Sequence, residues 1–514
     1  MTFKLFSRLK NSRINDVFYG SLLSYLLVIL NAVYSIVLTP YILGSIGEIE
    51  FGIYKTVASL SSAIMVLDLG IGSTITRFIA RYRADKENEK IQPFVSMMFV
   101  EGLVLSGVLA VLSAGILFVI PGIYHNSFSN EQIRLAQALF LILSVNLIFH
   151  VIENILNGII AGYNNYTYAN ALKLFRIVFR IAFTYILLAF YNGSVVLVFL
   201  DLALTVLLTI FEYLYIKRKY KLCIITKIKK WDKNIFIESG KYTSLLFISN
   251  IASQVNGSLD NVVIGAELGA EFVTIYSIAI TFFVMFEQIS MSISNVMLPT
   301  ITETLAQDKT GEKTEKTITT CGRIQFMLLG CVLAGFVVLG QDFINLWLGD
   351  GFIDAYYLTL ILFIPSILEL IINVCISILR AQNKMGFRTI VLICSTVVNA
   401  LVTIIGVKYG GYYWAAIGTG ISFLFGSVLT MGWYYKKVIG LRIIKIYKSI
   451  FSGTWLSILI SMFITFIVHM KVHSSWGSLI LNIVTFLVSF VVLQLLFGLN
   501  DVEKNIVKNK YLRR

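Results

Sequence analysis

The stretch LGSIGEIEFGIYKTVASLSSAIMVLDLGIGSTITRFIARYRADKENEK, residues Leu43 to Lys90, decides how the chain is read. Inside it, the 17 residues from Thr56 to Gly72 carry one charge, Asp68, and Lys55 stands at their entrance. At 1.5 Å per helical residue, a hydrocarbon core of about 30 Å needs about 20 such residues. The run closes on a basic segment ending at Lys90, and excess Lys and Arg mark the cytoplasmic end of a membrane span.

The rest of the chain repeats this pattern. Of 514 residues, 57% are hydrophobic and 14% charged, and the mean hydropathy is +0.82, far outside the range of soluble domains. No segment is polar enough to fold as a sizeable soluble domain, and five prolines leave no room for a long disordered linker. The fold class expected is all-α integral membrane. Fourteen apolar runs begin near Phe18, Phe51, Phe94, Leu135, Tyr168, Ser194, Thr243, Val273, Phe326, Tyr356, Phe387, Tyr413, Ile450 and Trp476. The first follows the basic segment MTFKLFSRLKNSRIND. It is too long for a signal-peptide core and lacks a small-residue cleavage site, so it is expected to stay as a span.

Basic residues orient these spans. Of the 42 Lys and Arg, all but Lys55, Arg134, Lys408 and Lys471 fall on one side of the fourteen-span topology, which places both termini in the cytoplasm. The net charge of +14 is thus a topology signal, and nucleic acid is not expected as a partner. Outer loops such as GSIGEIEFG, GAELGAEF and WLGDGFID are short and acidic, which leaves no room for an external catalytic domain. Trp347, Trp414 and Trp476 fall at outer span ends and Trp433 at an inner one, as interfacial anchors do. Cys223, Cys321, Cys331, Cys375 and Cys394 have neither CxxC spacing nor extracellular partners, so neither disulfides nor a metal site is expected.

The two halves echo each other. Gly44, Glu50 and Phe51 match Gly265, Glu271 and Phe272, and Ile53 and Tyr54 match Ile275 and Tyr276. Further on, Asp85, Lys86, Glu89 and Lys90 match Asp308, Lys309, Glu312 and Lys313. The repeat carries span 1 onto span 7, an even number apart, so the halves share one orientation. Parallel repeats of this kind place a transporter's substrate site between two lobes. The expected division is an N-lobe at 1–216 (spans 1–6), a basic cytoplasmic linker at 217–242, a C-lobe at 243–437 (spans 7–12), and spans 13–14 with a cytoplasmic tail at 438–514.

Ionisable groups inside a membrane cost about 2.5–3.5 kcal/mol each at the centre, so each is a functional candidate. Arg180 lies about 18 Å into span 5, Arg176 about 12 Å and Lys173 about 8 Å. Their i, i+3, i+7 spacing puts them on one helical face. One reading is a cationic ladder for an anionic ligand, to which guanidinium donates paired hydrogen bonds. The other is structural: Lys173 snorkels to the headgroups, Glu153 on span 4 neutralises Arg176, and Asp201 on span 6 neutralises Arg180.

Span 7 carries a polar wedge, SNIASQVNGSLDN, with Asn250, Gln254 and Asn261 on one stripe and Ser253, Asn256 and Asp260 on the next. Such a wedge cannot face lipid. It either lines a cavity, offering hydrogen bonds or cation ligands, or hydrogen-bonds to neighbouring helices. Gly257 would allow a bend there. Asp260, Glu287, Glu369 and Glu153 are candidates for gating or ion coupling, and Glu101 is a further isolated acid. His150 and Glu153 share a face, but an i, i+3 pair is weak evidence for a metal. Lys55 lies about 6 Å below the outer interface, where it could snorkel, bind an anion, or pair with Asp260 as an outer latch. No GxxxxGK[ST] loop occurs, so no built-in ATPase is expected; an ion gradient, the membrane potential or product consumption would supply energy.

Six plus six plus two spans, together with the opening stretch, LDLGIGSTITRFIA within it and LDNVVIGAELGAEFVTIYSIA between spans 7 and 8, resemble the polysaccharide-transporter branch of the multidrug/oligosaccharidyl-lipid/polysaccharide exporter superfamily. The resemblance is to Wzx-type O-antigen and capsule flippases. It implies a non-enzymatic, cofactor-free protein of a bacterial inner membrane. That protein would move a polyprenyl-diphosphate-linked oligosaccharide repeat unit to the outer leaflet by alternating access, with Arg180, Arg176, Lys55 and Lys173 as candidates for the diphosphate and Asn250, Gln254, Asn256 and Asn261 for the sugars. Expected partners are the lipid-linked oligosaccharide, membrane lipids, and a polysaccharide polymerase with its chain-length regulator; the expected state is a monomer. The alternatives are a multidrug and toxic compound extrusion-type antiporter, against which spans 13–14 and the span-5 arginines speak, and a membrane polysaccharide polymerase or ligase, which needs a larger outer loop.

Overall fold

The computed structural model describes residues 26–27, 29–65, 70–222, 254, 257–308, 311–382, 384–472, 475–500 and 503–504. Among them the chain is helical, with no strand, and it forms two compact units, 1–274 and 275–514. Eleven helices are long and apolar enough to cross a membrane. The other three expected spans have visible reasons for falling outside that set. The second is divided into two helices with residues 66–69 between them outside the described residues, the fifth holds three cations, and most of the seventh is also outside the described residues. The protein is an all-α integral membrane protein.

The first unit contains α1 (Ile29–Ile46), α2 (Glu48–Met65), α3 (Ile71–Ala84), α4 (Ile91–Tyr124), α5 (Asn130–Gly162), α6 (Tyr166–Phe190), α7 (Ser194–Lys219) and α8 (257–267). It ends in the first residues of α9 (Ala270–Gln307). α5 starts at a capping box: Gln132 N–H donates to Ser129 Oγ at 3.3 Å, and Ser129 N–H to Gln132 Oε1 at 2.8 Å. Two otherwise orphaned donors are thereby satisfied. The core of this unit is built from α2 to α5, with Ile75, Ile79, Phe140, Ile155 and Ile159 inaccessible to solvent.

One close crossing decides the geometry. A Cβ on Gly158 would lie 2.6 Å from the Gly72 carbonyl oxygen, and one on Gly72 would lie 2.9 Å from that of Asn154. Glycine at both positions lets α3 and α5 touch backbone to backbone. Thr76 Oγ1 fastens the contact by donating to the Gly158 carbonyl at 3.1 Å.

The second unit contains the rest of α9, α10 (Glu312–Leu348), α11 (Asp354–Leu370), α12 (Cys375–Ala381), α13 (Met385–Gly410), α14 (Tyr413–Ile439), α15 (Ile443–Phe451), α16 (Thr454–His469) and α17 (Trp476–Leu493). Turns at 371–374 separate α11 from α12. Carbonyls freed by such a break need donors inside a membrane. Ser290 Oγ supplies one to Leu370 O, and the Tyr447 hydroxyl one to Leu368 O, both at 2.8 Å. In both units the outward faces are apolar, as with Val111 and Phe118 on α4 and Phe463 on α16, each more than 60% exposed. An apolar exterior of this kind suits lipid rather than water.

Candidate functional site

The charged groups of the first unit gather along α6. Arg176 donates to both carboxylate oxygens of Glu153 on α5, at 3.1 and 3.3 Å, and to Thr205 Oγ1 on α7. About one turn further along, Arg180 donates to Asp201 Oδ2 on α7 at 2.7 Å. Its guanidinium lies 5.2 Å from the centroid of the Tyr34 ring, within cation–π range, and 3.5 Å from the Tyr54 hydroxyl. Both arginines are thus matched by carboxylates in this structure, and their side chains keep 26% and 30% of their surface exposed. A buried pair of this type offsets its own desolvation only when its remaining hydrogen bonds are made, as Thr205 and Tyr54 make them here.

Lys55 on α2 is different. Its ammonium sits 5.2 Å from the Phe51 centroid and 6.0 Å from that of Tyr54, and it lies close enough to Arg180 for the two positive charges to repel. Among the described residues it forms no ion pair. The proposed outer latch with Asp260 is therefore not made here, and Asp260, 3% exposed, is engaged by other contacts.

Beside the Glu153–Arg176 pair lies a cavity of about 420 Å³ walled by α3, α5, α6 and α7. The Gly72–Gly158 crossing forms one wall, and Lys173, Asn157 and Glu212 project into its lining. Glu212 is 1% exposed; Asn157 Nδ2 donates to its Oε1 at 2.9 Å, while Oε2 has no partner among the described residues. Leaving a buried polar atom without a partner costs about 1–3 kcal/mol, and more when the group is charged. Neither Glu212 nor Asn157 stood out in the sequence. The available signal was one acid in the last apolar turn of TIFEYLYIKRK, just before a basic run.

Of the polar wedge, Asn250 and Asn256 lie outside the described residues. Asn261 donates to Ser59 Oγ at 2.9 Å, an interhelical bond, and Gln254 Nε2 lies 3.5 Å from Ser258 Oγ. In the second unit, Glu287 is half-buried. Glu369 lines a much smaller cavity, about 20 Å³, with Asn373, Arg388, Ser427 and Tyr435. Glu369 Oε2 has no partner among the described residues, and Glu369 and Arg388 form no ion pair. An apolar groove of about 240 Å³ runs between α10 and α17, lined by residues such as Leu339, Phe343, Ile483 and Phe486. In the sequence Arg323 is one of the basic residues assigned to the cytoplasmic side. It is 3% exposed, and all five of its N–H donors are used: on Glu503 at 2.7 and 3.0 Å, and on the carbonyls of Ser449, Ser452 and Gly498 at 2.7–2.8 Å.

The fold has counterparts among solved structures. It is similar to the lipid II flippase MurJ in an inward closed conformation, at 16% identity and a TM-score of 0.72, over 92% of this chain and 97% of that one. It is also similar to an inward-facing multidrug resistance MATE family transporter of the MOP superfamily, at 17% identity and a TM-score of 0.64, over 82% of this chain and 95% of that one. No curated protein matches the sequence. Residues 17–305, more than half of the chain, match the family described as polysaccharide biosynthesis protein. The chain is a multi-pass membrane protein that belongs to the polysaccharide biosynthesis protein family.

Proposed function

We propose that the protein flips a polyprenyl-diphosphate-linked oligosaccharide repeat unit from the cytoplasmic to the outer leaflet of a bacterial inner membrane. The unit would serve surface polysaccharide synthesis (O-antigen, capsule or exopolysaccharide), and the movement would proceed by alternating access. Lys55 carries this reading: a cation inside an apolar helix, beside Arg180, with no carboxylate opposite it among the described residues. An unpaired intramembrane cation is costly unless an anion visits it, and a diphosphate is such an anion. Arg180 would join Lys55 only by exchanging Asp201 for phosphate oxygens, so cargo binding and the rearrangement of α6 would be coupled. The apolar groove between α10 and α17 suits a polyprenyl chain. A small-molecule antiporter has the MATE-like fold in its favour. A cationic cargo, however, would meet Lys55 and two arginines.

The test is deletion of the gene followed by mass spectrometry of lipid extracts. Intracellular lipid-linked repeat units should accumulate and surface glycan should fall; wild type should reverse both changes and Lys55→Met should not. Normal surface glycan without accumulation, in a strain lacking a second flippase, would exclude the proposal.

A further inference from the structure

The 420 Å³ cavity of the first unit is not explained by a diphosphate site. Its volume falls in the range of small-ligand pockets, about 300–1,000 Å³. Within its lining, Glu153 and Arg176 cancel each other, which leaves one cation, Lys173, and one carboxylate, Glu212. A diphosphate would meet two carboxylates there, and a bare metal ion would meet two cations. Among the described residues no group of three or more His, Cys, Asp or Glu could hold a metal. What remains is a near-neutral pocket in which donors and acceptors alternate, with the amides of Asn154, Asn157 and Asn170 and the hydroxyl of Thr76 added to Lys173 and Glu212. That is the chemistry that reads hydroxyl groups, each of which donates and accepts at once.

Glu212 sharpens the point. Its Oε1 is held by Asn157, while Oε2, shielded from water, has no donor among the described residues. An occupant offering an O–H or N–H would complete that carboxylate, and displacing the Asn157 amide would let either oxygen receive it. We propose that the cavity between α3, α5, α6 and α7 is a sugar subsite. One sugar residue of the cargo would sit in it, with the Glu212 carboxylate accepting from a hydroxyl or acetamido N–H and Lys173 donating to a ring or hydroxyl oxygen. This subsite rests on the flippase reading above and adds a glycan-selecting element to it.

The experiment uses purified full-length protein and two probes: the oligosaccharide released by mild acid from the lipid carrier that accumulates in the deletion strain, and farnesyl diphosphate, which has the head group without the sugar. Calorimetry should show the oligosaccharide binding to wild type about ten- to a hundredfold tighter than to Glu212→Gln, the worth of one charge-assisted hydrogen bond. Ala161→Trp, which fills the cavity without touching a charge, should weaken it as much, and farnesyl diphosphate should bind all three alike. If Glu212→Gln does not purify as a single species, Ala161→Trp decides. Oligosaccharide binding that is absent in wild type, or equal in wild type and the purified variants, overturns the subsite. So does a Glu212→Gln protein that keeps glycan binding but loses a dependence of transport on sodium or pH. Each of these results leaves the lipid accumulation test of the flippase itself unaffected.

Discussion

The two units use the same chemical parts differently. The first has an acid on its fourth span, Glu153, an arginine on its fifth, Arg176, and polar groups on its sixth, Thr205 and Glu212; the second has Glu369, Arg388 and Ser427 in the corresponding order. In the first unit the acid and arginine close to 3.1 Å and leave about 420 Å³ beside them. In the second they form no ion pair, and Tyr435, Met431 and Ile372 reduce the space to about 20 Å³. The second unit instead commits an arginine, Arg323, to holding its own helices together, with every donor satisfied inside the protein. The arginines of the first keep more than a quarter of their surface exposed. Saturated, fully buried charge serves architecture, whereas partly exposed, exchangeable charge remains open to a ligand.

Substitutions at Arg323, Arg180, Glu369 and Lys55 can break or sharpen that contrast. Arg323→Met should have the largest effect, because it strands three carbonyls and the Glu503 carboxylate. A cost of about 3–5 kcal/mol is expected for unpairing a buried ion, seen as a collapse of the detergent-solubilised melting temperature. Arg323→Lys should fare little better, since three donors on a point charge cannot replace a five-donor fork. Arg180→Leu should cost less, about 1–3 kcal/mol, because the pair is only partly buried. The double variant Arg180→Leu/Asp201→Leu should regain stability while glycan export stays lost. Recovery of export along with stability would make Arg180 a structural residue like Arg323. Glu369→Gln should change stability by less than about 1 kcal/mol, as expected where no ion pair is broken. A loss as large as that of Glu153→Gln would erase the distinction between the units. The smallest stability effect, within about 0.5 kcal/mol, is expected for Lys55→Met, whose consequence should appear only in complementation of the deletion strain.

Much of this was legible before any coordinates. Hydropathy and the distribution of lysine and arginine reveal membrane helices because the bilayer imposes a length and a charge asymmetry on each span separately. Depth along a helix is equally local, so the levels of Arg176 with Glu153 and of Arg180 with Asp201 followed from counting residues at 1.5 Å each. What counting cannot supply is rotation about the helix axis. Lys55 and Asp260 share a depth, yet Lys55 turns towards Phe51 and Tyr54. The cavity was hidden for a related reason: two glycines more than eighty residues apart have to meet to form its wall. Arg323 was masked by the topology signal itself, since a basic residue at a span end looks the same whether it faces cytoplasm or protein. Asn250 and Asn256 of the polar wedge lie outside the described residues.

The saturation of Arg323 also bears on the order in which the chain can mature. Its acceptors lie 126 to 180 residues downstream, at Ser449, Ser452, Gly498 and Glu503. While the polypeptide is being made and inserted, this guanidinium has none of them, and burying it unpaired would be prohibitive. Its corner of the second unit therefore stays open to water until α15, the end of the α17 span and Glu503 have been synthesised. Closure of that unit would then follow synthesis of the segment that carries Gly498 and Glu503. A nascent protein halted before Glu503 should remain accessible to protease beside Arg323 even with all its spans inserted.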